Sequence, residues 1–154
     1  MAQRIPGGPD EALATARRAA AAMEAADAAA REAGVRLLDV GPGRARVAMT
    51  VGPRHVNGHG ICHGGYLFLL ADAALAFASN SYGASAVAAG ADIVFLRPAA
   101  KGDELVAEAA ERARSGRSGL FDVTVRVGAQ PVAEFRGRTR TVPGLAPPPP
   151  PPQP

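Results

Sequence analysis

The clearest signal along the chain is a switch between two hydrophobic periods. Residues 44–51 alternate, with Ala45, Val47 and Met49 set against Arg44, Arg46 and Thr50, as in a strand with one buried face. Residues 35–40, 85–96, 104–114, 120–127 and 132–142 also read as strands. They are bounded by turn signals at Gly41-Pro42-Gly43, 99–103, 115–119 and 128–130. Short links of this kind predict antiparallel pairing of successive strands. Two segments are helical instead. Residues 10–34 form an alanine-rich helix, with Asp10 as N-cap and Gly34 just past its end. Its stripe of Leu13, Ala16, Ala20 and Met23 is weak, which predicts packing on the outside. Residues 64–80 are apolar on every face, the mark of a helix buried all round. Helix, two strands, buried helix, four strands is an α+β order. A curved antiparallel sheet wrapped around the central helix satisfies it.

Composition narrows the domain. The apolar fraction is 47%, yet alanine supplies nearly half of it, and there is no Trp. The core must come from Leu, Ile, Val, Phe and Met, enough for one domain of roughly 100–120 residues. Eight of the 14 prolines lie in residues 143–154. The expected organisation is a loose segment over 1–9, a packed domain over 10–142 and a disordered proline-rich tail over 143–154, with polyproline II character. No apolar run is long enough for a membrane span, and no secretory signal is visible at the start. The single cysteine, Cys62, allows no internal disulfide, which predicts a cytoplasmic protein. The formal charge is +3, with all basic residues but Lys101 being Arg. These are scattered and not interleaved with aromatics, so no nucleic-acid partner is expected. A mild positive balance does suit a polyphosphate ligand.

Candidate chemistry gathers around the second helix. Asp72 lies in its middle, sharing a stripe with Gly65, Phe68, Leu69, Leu75, Ala76 and Ser79. A carboxylate there costs several kcal/mol unless it is paired or opens into a cleft. It is either satisfied by a neighbouring loop or Arg, or it is functional. Gly64-Gly65 opens the helix, where free N–H groups and the dipole favour an oxyanion. Gly64 and Asp72 are eight residues apart, about 12 Å along a helix. If both serve one reacting atom, they must come from two antiparallel copies of the chain, which predicts a two-fold dimer with sites at its interface. His55, His59 and His63 recur every four residues, but Pro53, Gly58 and Gly60 exclude a helix there, and no metal site is expected. His63 is read as orienting the helix entrance and His59 as holding the loop. Asn57 is either a turn residue or an amide that holds a water or a carbonyl. Cys62 is read as a buried, inert thiol.

Asn57-Gly58-His59, His63-Gly64-Gly65, Leu70-Ala71-Asp72, Asn80-Ser81 and Phe95-Leu96-Arg97-Pro98, in this order, resemble the hotdog-fold acyl-CoA thioesterases, above all the phenylacetate-degradation (PaaI) type. The resemblance covers about residues 28–141. It implies a hotdog fold, a dimer with one continuous sheet, and assembly to a homotetramer. It implies hydrolysis of aryl- or medium-chain acyl-CoA, of the phenylacetyl-CoA or hydroxyphenylacetyl-CoA type, with coenzyme A as part of the substrate and no cofactor. The family's carboxylate falls on Asp72, acting as general base or nucleophile. Its carbonyl-polarising N–H falls on Gly64, its loop Asn on Asn57 and its helix-entry His on His63. Gly65, Tyr66, Phe68 and Arg97 are expected at the substrate, with Arg54 and Lys101 as further phosphate candidates. Some relatives add a hydroxyl on the strand after the helix; Val87-Ala88-Ala89-Gly90 has none. The alternative is a non-catalytic acyl-CoA-binding module on the same scaffold. A hydratase would need a His on the helix, and no His follows His63.

Overall fold

The computed structural model describes residues 7–153. The loose segment expected over 1–9 lies largely outside the described residues, as does Pro154. The elements are α1 (Pro9–Ala26), α2 (Ala28–Ala33), β1 (Arg36–Gly41), β2 (Arg44–Thr50), a 3-10 turn at Pro53–His55, α3 (Gly64–Asn80), β3 (Ala86–Phe95), β4 (Glu104–Ser115), β5 (Ser118–Val127) and β6 (Gln130–Thr141). The six strands form one antiparallel sheet in the order β1-β2-β4-β5-β6-β3, curved around α3.

The alternating strands supply the concave face. Ala45, Val47 and Met49 of β2, Phe121, Val123 and Val125 of β5, and Ala133 and Phe135 of β6 are buried. They meet Leu67, Leu70, Ala71, Ala74, Leu75 and Ala78 of α3. Each large side chain removed from water in this way contributes roughly 1.5–3 kcal/mol. The contact is close enough that a Cβ on Gly137 of β6 would lie 2.5 Å from Leu75 Cδ2.

Four expectations are corrected. The N-terminal helix is two helices, because Asp27 leaves helical geometry and its carboxylate accepts from Ala30 N–H at 2.9 Å, starting α2. The first of them begins at Pro9 behind Gly8, not behind Asp10. Proline suits the first helical position, and Asp10 and Glu11 then lie in the first turn, where the dipole favours them. Thirdly, β3 does not pair with β4, its neighbour in sequence; it pairs with β6 at the far edge. The link between them is held across the end of the sheet, since Cys62 N–H donates to Ala99 C=O and Val51 N–H to Asp103 C=O. Finally, α3 is not buried all round. Its stripe of Phe68, Leu69, Asp72 and Ala76 is left partly open, because one sheet covers only one side of a cylinder.

Both ends of α3 are tied down by side chains. Asn80 Oδ1 accepts from Ala86 N–H, and its Nδ2 donates to Ala86 C=O, locking the helix end to the start of β3. Ser81 Oγ accepts from Gly43 N–H at 2.8 Å and donates to Ala78 C=O at 2.7 Å, joining the helix to the β1–β2 turn. The Asn80-Ser81 pair therefore holds the frame.

Candidate active site

The segment before α3 is a narrow loop. Val56 bridges to Cys62, and His63 N–H donates to His55 C=O at 2.7 Å. Asn57 sits at its turn, where its Oδ1 accepts from His59 N–H at 2.9 Å. The side chain that holds this loop is thus Asn57, not His59, whose exposed ring makes no hydrogen bond among the described residues. Asn57 is no left-handed turn residue, since positive φ occurs only at glycines among the described residues. With its oxygen engaged, its Nδ2 remains a donor.

His63 is the N-cap of α3. Its Nδ1 accepts from Gly65 N–H at 2.9 Å. The N–H groups of Tyr66 and Leu67 donate to His63 C=O. Gly64 N–H, in the first position of the helix, has no partner among the described residues. Three of the four first-turn donors are therefore taken, and the free one lies at the positive end of the dipole.

Asp72 is half-buried, and its carboxylate accepts no hydrogen bond among the described residues. Burial pushes its pKa up, and the negative charge of Asp27 pushes it further. A carboxylate that is raised, unpartnered and reachable can take a proton from water. Within one chain Asp72 stands about 12 Å along the helix from Gly64. The single protomer does not bring the two together.

The other candidates divide. Tyr66 packs against His55, with ring centroids 4.6 Å apart and planes tilted by 55°. His55 is buried, and its Nδ1 accepts from Gly52 N–H. Phe68 sets its edge against Phe135 at 5.1 Å on the open stripe. Arg97 Nη1 donates to Pro131 C=O in β6, and Arg54 Nη2 to Glu32 C=O in α2, so both guanidinium groups brace backbone. Burial drives the Cys62 thiol up to about 11, so it stays protonated and is no nucleophile at neutral pH. Among the described residues no three His, Cys, Asp or Glu side chains converge as metal ligands.

Two residues were given no role of their own by the reading of the sequence. One is Asp27, whose isolated position in an alanine run signalled a helix break. The other is Phe95, whose ring lies against Gly64: a Cβ there would sit 2.8 Å from Phe95 Cζ. Its trace in the sequence was the motif Phe95-Leu96-Arg97-Pro98 at a strand end, which says nothing of what the ring touches.

Comparison with known proteins decides the family. The thioesterase superfamily profile matches residues 59–134. Acyl-coenzyme A thioesterase PaaI of Escherichia coli K12 is 43% identical over 124 residues, covering 80% of this chain and 89% of that protein. The chain belongs to the thioesterase superfamily. The structure of E. coli PaaI, from the phenylacetic acid degradation operon, matches this hotdog fold with a TM-score of 0.82 and 42% identity, over 84% of this chain and 94% of that one. A Streptococcus mutans protein solved with acetyl CoA matches with a TM-score of 0.68 and 27% identity, over 70% of this chain and 88% of that one. As a member of this superfamily with a named thioesterase so similar, the protein is a hydrolase of thioesters, and the non-catalytic alternative recedes.

Proposed function

We propose that this thioesterase hydrolyses aryl- or medium-chain acyl-CoA, of the phenylacetyl-CoA type, at sites shared between two copies of the chain. The observation that carries the reading is the complementary pair on α3: an unpartnered amide at Gly64 and an unpartnered, pKa-raised carboxylate at Asp72, too far apart to serve one atom from one chain. The similarity to E. coli PaaI and to the acetyl CoA-bound S. mutans protein supports coenzyme A as the thiol half.

The free edge of β3 supports the dimer. Val87, Val94, Phe95 and Leu96 on or beside that edge strand are exposed, and Phe68 of α3 opens nearby at 38%. An uncovered apolar edge is a template for another strand. A second copy related by a two-fold axis would extend the sheet and lay the two α3 helices antiparallel. Pairing of two such dimers into the tetramer belongs to the same proposal.

In the reaction, the thioester carbonyl oxygen accepts from Gly64 N–H, which stabilises the oxyanion as it forms. Losing one donor of this kind costs about 3–4 kcal/mol. Asp72 of the second copy takes a proton from water as the water oxygen bonds to the carbonyl carbon. The C–S bond then breaks and the thiolate leaves with the electron pair, to be protonated by Asp72 or solvent. In the nucleophilic variant Asp72 bonds to the carbonyl carbon, the C–S bond breaks as the thiolate leaves, and water then hydrolyses the anhydride, releasing the acid and restoring the Asp72 carboxylate. A thiol is acidic enough, at about 8.5 for cysteine, to leave with little acid help. Asn57 Nδ2 would hold the water or the carbonyl. His63 acts through Gly65, keeping the helix start in register. The cytoplasm, where acyl-CoA is made and the lone thiol stays reduced, is the compartment this chemistry suits.

The test is release of free thiol from a panel of acyl-CoA esters by wild type and Asp72→Asn. Turnover by wild type and its loss in the variant are expected. Equal turnover by both removes Asp72 from the mechanism.

A further inference from the structure

Phe95 is the unassigned aromatic. Of the seven Phe and Tyr residues, Phe77, Phe121 and Phe135 are buried, Phe68 rests on Phe135, Tyr66 packs against His55, and Tyr82 carries Arg114 on its ring. Phe95 is the one of the seven that is neither buried nor paired with a ring or a cation among the described residues, and it is 53% exposed. It is nonetheless not idle. Its Cζ, Cε2 and Cε1 would stand 2.8, 3.2 and 3.3 Å from a Cβ on Gly64. Gly64 is helical, so backbone freedom does not explain glycine there. The ring lies where a side chain at 64 would begin, so a larger residue there would push the ring aside.

The free N–H of Gly64 therefore emerges beside one edge of an aromatic ring whose remaining surface is open. We propose that Phe95 is the wall against which the acyl group lies, and that it sets a preference for flat aromatic acyl groups over linear ones. The inference rests on the reading above, in which Gly64 N–H holds the thioester carbonyl. A carbonyl oxygen about 2.9 Å from that nitrogen brings the acyl carbons alongside the ring. An aryl group then gains an offset or edge contact that an alkyl chain lacks. Contacts of that kind are worth about three- to tenfold in an equilibrium constant.

The competing acyl pocket is the cavity of about 170 Å³ between the α1–α2 break and β1, floored by Phe77, Val35 and Leu37 and rimmed by Glu24, Asp27 and Arg31. Its lining includes Asp27, whose charge acts on Asp72, but neither Gly64 nor Phe95.

The experiment compares kcat and KM for phenylacetyl-CoA and hexanoyl-CoA in wild type, Phe95→Leu, Phe95→Ala and Phe77→Leu, with the mass of each in solution. Both Phe95 variants are expected to cut the phenylacetyl-to-hexanoyl ratio of kcat/KM by about three- to tenfold, chiefly through KM, at unchanged mass. Phe95→Ala in a Gly64→Ala background is expected to recover part of the activity that Gly64→Ala loses. An unchanged ratio overturns the proposal. So does an equal fall for both substrates with a shift to monomer, which makes Phe95 a dimer contact only, or a ratio moved by Phe77→Leu instead. A wild type that hydrolyses neither ester, nor any other acyl-CoA, overturns the proposed function itself, and that outcome shows before any variant is made.

Discussion

His63 Nδ1 accepts the N–H of Gly65 at 2.9 Å, and in doing so leaves the preceding amide, at Gly64, as the open donor of the helix start. The histidine is the cap that settles which donor of the helix start is left free. His63→Ala is expected to lower stability by about 1 kcal/mol and to reduce kcat more than it raises KM. His63→Asn, which can still cap, should restore much of the stability in thermal unfolding.

Asp72 carries a raised pKa partly because Asp27 is negative. Removing that charge should lower it. In Asp27→Asn, which can still cap α2, the acid limb of the kcat/KM profile is expected to move to lower pH. A limb that stays in place means Asp27 exerts no field at the base.

The same shift has a stability consequence. Because the folded-state pKa of Asp72 lies above the ordinary 3.8, the folded protein binds more protons than the unfolded chain between the two values. Asp72 thus costs stability once pH rises through that window, and costs none below it. Asp72→Asn should raise Tm at pH 7 and leave it unchanged at pH 3. A Tm that falls at pH 7 means the carboxylate has a stabilising partner.

Asp122 runs the other way. Hydrogen bonds from Arg136 and Arg112 hold its carboxyl down to about 2, against 3.8. Its contribution is present above the ordinary value and lost as pH falls toward the folded one. The arginines are largely exposed, so the pairing is worth about 1 kcal/mol at most. Asp122→Asn should lower Tm at pH 7, with the difference from wild type closing between pH 4 and 2 in a urea or thermal titration.

Val94 is 59% exposed on the edge strand. A surface substitution there should barely touch the fold of a monomer. Val94→Lys is nevertheless expected to lower the mass by light scattering and to abolish thiol release together. Retained activity in a monomer would remove the shared site.

Much of this molecule could be read in advance. Alternation at residues 44–51 and 120–127 reported β2 and β5, because a pleated strand with one buried face permits little else. The apolar content of residues 64–80 reported α3, and Asp72 stood out there because charge in such company is costly. Pattern failed where elements meet. It put β3 beside β4, whereas the Ala99–Cys62 hydrogen bond carries the link across the sheet end. It also made α3 buried on every side, since composition counts apolar residues without saying which of them a single sheet can reach.

The sequence by itself determined the elements, the family and the odd carboxylate, because periodicity, motif order and the cost of burying charge are local properties. Only the tertiary structure decided which amide of α3 is free, that Asp72 has no partner among the described residues, and that the ring of Phe95 lies against Gly64. Those facts depend on atoms dozens of residues apart meeting within a few ångströms, and no window along the chain contains them.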